Sequence, residues 1–486
     1  MNVTSTAIAF LISLAVCPCA LMADQPQAGS QIPESIDRGM MIDALEMQRA
    51  YRLDFLQQQP ETRITVVDGR PRRNQPLAVA TPKKQEPHGS GWPFQTDGEI
   101  FSFPCFDEHC IYFGACDGVF RCLDKKTGTV RWERQGLDQV DSAPALHKGI
   151  VFFTAIYDTL YALNSDSGGV KWKATIAGVG YRSPKLLNQI VYIAGEDQLV
   201  GLDPDNGKIL RRHAYSGDGR DFSWNSKAIV VAVTKDIDFK DDTGIGSVVC
   251  FAYENTKPRW TTALGGACLG TIVCDEDNCY LGARDGFFYA IRMRDGKVAW
   301  RIDCRKIVPN RESDRRLDDS SGRTVWADEH VIDAGANIAF TAGHQLINAP
   351  STLALAEKRT GKLLWSVVHP TQICGRFLAA DGILVAVAED REMLVVKLAD
   401  GTSVCFSPLP AVCGTGLFAD QPRGEFAGVS LDHGQLFVVG ADAHVWRLPL
   451  ASVSSTLDWP IAHGPDVSSS QRDPPPSGTN RGNNAN

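Results

Sequence analysis

Much that would mark this chain for a particular chemistry is missing. It has 10 His in 486 residues, and they do not cluster. No His-Glu-x-x-His, nucleotide-type glycine loop or Ser-His-Asp order occurs, so the usual signatures of zinc proteases, nucleotide-binding proteins and serine hydrolases are absent. No two cysteines are adjacent. Basic residues are outnumbered, 49 Lys and Arg against 57 Asp and Glu, and a net charge of −8 leaves no electrostatic footprint for nucleic acid. Beyond the first 23 residues no apolar run is long enough to span a membrane. Acid pairs such as Glu389-Asp390 fall where the repeat described below predicts a turn, and no catalytic constellation emerges.

What is present is the composition of a folded protein. Hydrophobic residues make up 43% and charged residues 22%, which excludes a disordered chain, a collagen and a polytopic membrane protein. Glycine is in slight excess, 44 residues, which suits many tight turns. Residues 1–23 carry no charged side chain, and the stretch Ala7 to Val16 is mainly apolar. Leu21-Met22-Ala23 offers a cleavage site before Asp24, so the N-terminus reads as an export signal. An uncleaved anchor is the rival reading, but the run is shorter than the ~20 residues a spanning helix needs. A lipid anchor at Cys17 is disfavoured by the bulky Val16.

One phrase recurs along the chain. It runs Val119-Phe120-Arg121-Cys122-Leu123-Asp124, then Lys125-Lys126-Thr127-Gly128, then Thr129-Val130-Arg131-Trp132. It returns with Leu163, Gly168 and Trp172, and with Leu202, Gly207 and Arg211, where Arg replaces Trp. Further copies carry Phe251 with Trp260, Ile291 with Gly296 and Trp300, and Leu355 with Gly361 and Trp365. A degenerate copy holds Leu398, Gly401 and Cys405, and a half-copy ends the series at His444-Val445-Trp446-Arg447-Leu448. Each copy reads as an alternating strand, a glycine turn and a tryptophan strand, preceded by two more strands. Four strands in about 40 residues is one propeller blade. The expected fold is therefore an all-β propeller over 99–450, of about eight blades with seven as runner-up. The five tryptophans Trp132, Trp172, Trp260, Trp300 and Trp365 are expected to fill the gaps between blades. A strand near 99–104 is expected to complete the last half-copy and close the ring.

These residues resemble the pyrroloquinoline-quinone-type repeat, in which an apolar pair and Ala-Leu-Asp precede a Thr-Gly turn and a Trp four residues after the Gly. Tyr161-Ala162-Leu163, Thr127-Gly128 and Trp132 carry the match most closely. The resemblance implies the propeller fold and leaves function open between quinoprotein dehydrogenases and non-catalytic scaffolds, including the propeller lipoprotein of the outer-membrane barrel-assembly machinery. The enzymes of this superfamily are marked by an adjacent cysteine pair, a tryptophan floor beneath the quinone and acidic and Asn ligands around calcium. This chain lacks the cysteine pair, and only Trp224 and Trp326 are spare for a floor. The expectation is a scaffold that needs no cofactor, with two alternatives: a quinone-dependent dehydrogenase holding pyrroloquinoline quinone plus calcium, or a ligand or glycan binder using the axial pocket.

The remaining features are judged against simpler readings. Cys105 and Cys110 share their spacing with Cys274 and Cys279, and both pairs bracket the turn between a blade's first two strands. Export and short spacing favour a disulfide across each hairpin over metal ligation. Cys116 and Cys122 invite similar pairing around Asp117-Gly118. Asp236, Asp238, Asp241 and Asp242 lack the spacing of a calcium loop and read as an elongated solvated hairpin. A charged insertion at 305–325, with Arg311, Arg315 and Arg316, is a candidate interaction loop. Residues 36–58 predict an amphipathic helix, 60–98 a linker and 451–486 a disordered tail. The chain is thus expected to be exported, periplasmic or extracellular, monomeric, without a membrane span once the signal is removed, and to bind a protein partner.

Overall fold

A computed structural model of the chain describes residues 79–80, 92–156, 158–238, 243–308, 325–344, 350–371, 373–388, 392–406, 428–439 and 444–449. The expected signal, the helix over 36–58, the arginines of the charged insertion and the C-terminal tail lie outside them. Apart from one helical turn, Cys304–Lys306, all the regular structure described is β.

The strands follow one another as antiparallel meanders in seven sheets, five of them four-stranded. The seven-stranded sheet contains a long strand, Ile209–Trp224, with two roles. Its first half pairs with Glu196–Leu202 and its second half with Ala228–Asp238. Counted in both roles, it divides that sheet into two four-stranded units. The described strands then form consecutive units at 105–134, 145–175, 185–214, 218–263, 273–303, 325–369, 373–406 and 428–449. Within each unit the second strand is buried on both faces and reads as an unbroken apolar run, as in Ile150–Ala155 and Ile383–Ala388. The fourth strand alternates between half-buried and exposed positions, as in Val170–Thr175 and Leu363–His369. A unit with two apolar faces must be packed on both sides. Apolar clusters fill the space between each consecutive pair of units, and one joins the last unit to the first. The fold is a β-propeller.

Closure differs from the sequence expectation. Residues 99–104 form no strand; the pairing strand is Phe94–Gln95, which docks on His444–Pro449. The reason is local. Ile100 is fully buried in the seam between the last and first units, and Gly98 lies so close to Asp117 that the backbone has already turned away from the sheet by that point. The supposed linker also contributes a short strand, Val79–Ala80, which pairs with the outer edge of the first unit. The hairpin expected around Asp236 is present as the long strands Ala228–Asp238 and Thr243–Ala252.

Candidate functional site

A meander turns alternately at opposite ends, so its connections divide between two faces. On one face, all connections among the described strands span two to seven residues. On the other lie the longest ones, 304–324 and 407–427. The first is the turn face and the second the loop face.

The turn face is where the repeat phrase folds. In six copies the glycine amide donates to the carbonyl four residues back: Gly128 to Asp124, Gly168 to Asn164, Gly207 to Asp203, Gly296 to Arg292, Gly361 to Glu357 and Gly401 to Lys397. All six glycines have φ between 66° and 76°, which a side chain would resist. Their second role lies across the seam. A Cβ on Gly168 would sit 2.6 Å from the Trp132 ring, and Gly207, Gly296, Gly361 and Gly401 face Trp172, Trp260, Trp300 and Trp365 in the same way. Each indole Nε1 also donates to a carbonyl of the following unit, Trp132 to Ser165 at 2.7 Å and Trp365 to Leu398 at 3.0 Å. The structure therefore places all five predicted tryptophans between units.

Sequence reasoning missed a sixth. Trp92 donates to the Lys125 carbonyl at 3.3 Å and meets Phe437 edge-on, closing the last seam as the others close theirs. The missing tryptophan strand of the final half-copy was the available signal. At the seam where Arg211 replaces Trp, His213 takes over. It is buried between Tyr192 and Phe251, and its Nδ1 lies 2.8 Å from the Asn255 carbonyl. Burial, joined by the nearby Arg211 charge, depresses its basicity, although the Asn255 contact works the other way.

Paired charges pin the loop face. Asp117 accepts from both terminal nitrogens of Arg121, at 3.0 and 2.5 Å, while Arg121 Nε reaches Glu133. Lys185 on the innermost strand of the third unit donates to Asp221 on that of the fourth at 2.6 Å. Asp221 in turn accepts the Ile272 amide that leads into the fifth. Arg182 is held by Asp218 at 2.6 Å; burial opposes its charge, but Asp218 outweighs that and keeps it protonated. These ion pairs stiffen the frame from which the loops leave.

The cysteines require a correction. Cys105, Cys110, Cys274 and Cys279 are free thiols. Cys105 lies opposite Tyr112 and Cys110 opposite Asp124, so the expected hairpin bridge has no facing partner. Cys274 and Cys279 do face each other across the ladder, as thiols. Burial pushes Cys105 and Cys279 well above the usual thiol range, and Cys250 and Cys268 up to about 12, which suits inert core groups. Cys116 instead lies 3.7 Å from Asp141.

The residues present do not fit a bound quinone. The adjacent cysteine pair is missing from the sequence. Trp224 packs beside Phe222 in the seam between the third and fourth units, away from any floor position. The side chain of Trp326 and the arginines 311, 315 and 316 lie outside the described residues.

Comparison with known proteins decides the family. The sequence family described as outer membrane protein assembly factor BamB matches residues 116–232, 225–313 and 310–404. The chain belongs to the BamB family. Its match to the BamB of Francisella tularensis is 25% identical over 170 residues, covering 35% of this chain and 36% of that protein. A tetrathionate hydrolase of Acidithiobacillus ferrooxidans is 30% identical over 109 residues, covering 21% of this chain and 22% of that protein. The chain thus spans about a fifth to a third of the curated relatives it matches. Among solved structures, BamB from Moraxella catarrhalis superposes with a TM-score of 0.53 at 10% identity, over 77% of this chain and 100% of that one. A quinohemoprotein alcohol dehydrogenase from Pseudomonas putida HK5 gives 0.53 at 13% identity, over 71% of this chain and 70% of that one. At these identities the structural likeness speaks for the BamB-type propeller fold alone. Among the described residues of this BamB-family chain, no helix is long and apolar enough to cross a membrane.

Proposed function

We propose that this chain is an exported, eight-bladed propeller that acts without catalysis as a scaffold in outer-membrane protein assembly, presenting its loop face to a protein partner in the cell envelope. The observation that carries this reading is the BamB family match across 116–404. The interlocked charges of the inner strands support it, because they make the described frame rigid. Eight seams, counted round to the first unit, support the blade number. The test is genetic. A strain lacking the gene is expected to show reduced β-barrel protein in its outer-membrane fraction, restored by the wild-type gene. Unchanged barrel levels would reject the assembly role.

The structural likeness to a quinohemoprotein alcohol dehydrogenase keeps a second reading in view, a quinone-dependent activity. Saturable thermal stabilisation of the folded protein by pyrroloquinoline quinone with calcium would favour it over the scaffold.

A further inference from the structure

The seventh unit breaks a rule that shapes five of the others. In five other units a register shift interrupts the ladder between the third and fourth strands, just after the glycine turn. That extra residue aims the side chain four positions after the glycine, Trp132 for example, at the following unit. Between Met393–Lys397 and Ser403–Phe406 the ladder runs without a shift. Parity is therefore inverted. Val404 faces the eighth unit with its partner Val395, whereas Cys405 sits opposite Leu394, whose side chain packs toward the sixth unit. Cys405 holds the tryptophan place in the sequence and points the other way.

What it meets is His369, four residues beyond Trp365 on the outer strand of the sixth unit and therefore on the same strand face. His369 is fully buried, and its Nε2 has no hydrogen-bond partner. Glu392 Oε2 lies 3.5 Å from that nitrogen. The donor atoms of His369, Glu392 and Cys405 all lie within 4.8 Å of one another. The far side of the ring is anchored, with Nδ1 3.3 Å from the Thr371 carbonyl. The Thr371 amide donates to Nδ1 at 3.3 Å and its hydroxyl lies 3.1 Å from it. Metal binding at Nε2 requires the ring proton to sit on Nδ1, where the Thr371 carbonyl can accept it, the arrangement in which metal-binding histidines are held.

We infer that His369, Glu392 and Cys405 form a zinc site that clips the sixth unit to the seventh. The donor set of one nitrogen, one carboxylate oxygen and one thiolate suits a borderline-soft, tetrahedral ion and disfavours calcium or magnesium, which take oxygen ligands. Tetrahedral zinc with N and O donors at ~2.0–2.1 Å separates them by about 3.4 Å, close to the His369–Glu392 distance. Cys405 is exposed, so a change of rotamer can bring its sulfur into range, and the fourth position is left to water or another ligand. Binding loses the thiol proton to solvent and forms one Zn–S bond; no electrons move.

The test uses the purified full chain, stripped with a chelator, and zinc chloride. Isothermal titration is expected to show one tight equivalent and a raised unfolding temperature. Cobalt(II) in the same site is expected to give a thiolate-to-cobalt absorption band in the near ultraviolet. Cys405→Ala changes an exposed side chain and is expected to keep the fold, abolish that band and weaken zinc binding at least ~10-fold. His369→Gln is expected to do the same. If His369→Gln fails to fold, Cys405→Ala decides. No saturable zinc binding, or binding and a cobalt band that survive Cys405→Ala, would overturn the inference; the second result would place the metal on other thiols.

Discussion

At the residue scale, the seam tryptophans and the glycines facing them act as one unit. Trp132 is almost wholly buried, stacks near Phe120 and bonds to the Ser165 carbonyl. Trp132→Ala removes both packing and the bond, and should cost about 3–5 kcal/mol by urea unfolding. Gly168→Ala asks for a strained φ and a methyl inside the indole contact, so it should cost on the order of 2 kcal/mol although it adds a single carbon. The pair should couple: with Trp132 already Ala, the Gly168 substitution should cost distinctly less. The turn aspartates add a pH term. Burial tends to raise Asp124, but the Arg131 guanidinium and the Thr127 and Lys126 amides hold it down at about 2. A carboxyl lowered in the folded state stabilises above its ordinary value near 4, and that contribution fades as pH falls from about 4 to 2. Asp124→Asn should remove about 1 kcal/mol at neutral pH, allowing for solvent screening, and flatten the acid limb of the unfolding curve.

At the element scale, closure rests on a two-residue strand. Phe94–Gln95 is too short to hold the ring by its ladder alone. The seam is reinforced by Trp92 on Phe437 and by Lys125, which donates to Asp432 at 2.6 Å across 307 residues of sequence. Both charges are largely buried. Asp432→Ala leaves Lys125 buried and unpaired and should destabilise by about 3 kcal/mol, whereas replacing both with Met and Leu should recover much of the loss; thermal unfolding of the two variants distinguishes them. This scale also shows what the sequence could and could not convey. The six glycine turns and five tryptophans were legible because the same side chains do the same job in most of the seams. The closing strand was misplaced by a few residues because its partner lies at the other end of the chain, and no local pattern reports such pairing. The orientation of Cys405 toward the sixth unit was hidden for another reason. The absence of a bulge is a property of register, and the sequence does not show it: Val396 to Cys405 is the same nine-residue interval as Leu123 to Trp132. The expected disulfides failed where spacing was mistaken for facing positions, at Cys105 and Cys110.

At the scale of the whole molecule, a ring of apolar seams gives a stiff body with two unlike faces. The turn face is built from short, repeated connections, and the loop face carries the long and irregular ones. A scaffold that works by presentation should therefore touch its partner through one face. The measurement is site-specific photo-crosslinking in cells, with the probe placed at exposed or partly exposed loop-face positions Tyr181, Asp197, Asp236 and Arg305, and at exposed turn-face positions Lys126, Asp166, Asp205 and Arg294. The account predicts one discrete envelope-protein adduct shared by loop-face positions and none from the turn face. Adducts confined to the turn face, or none from either face with the protein folded and expressed, would contradict it.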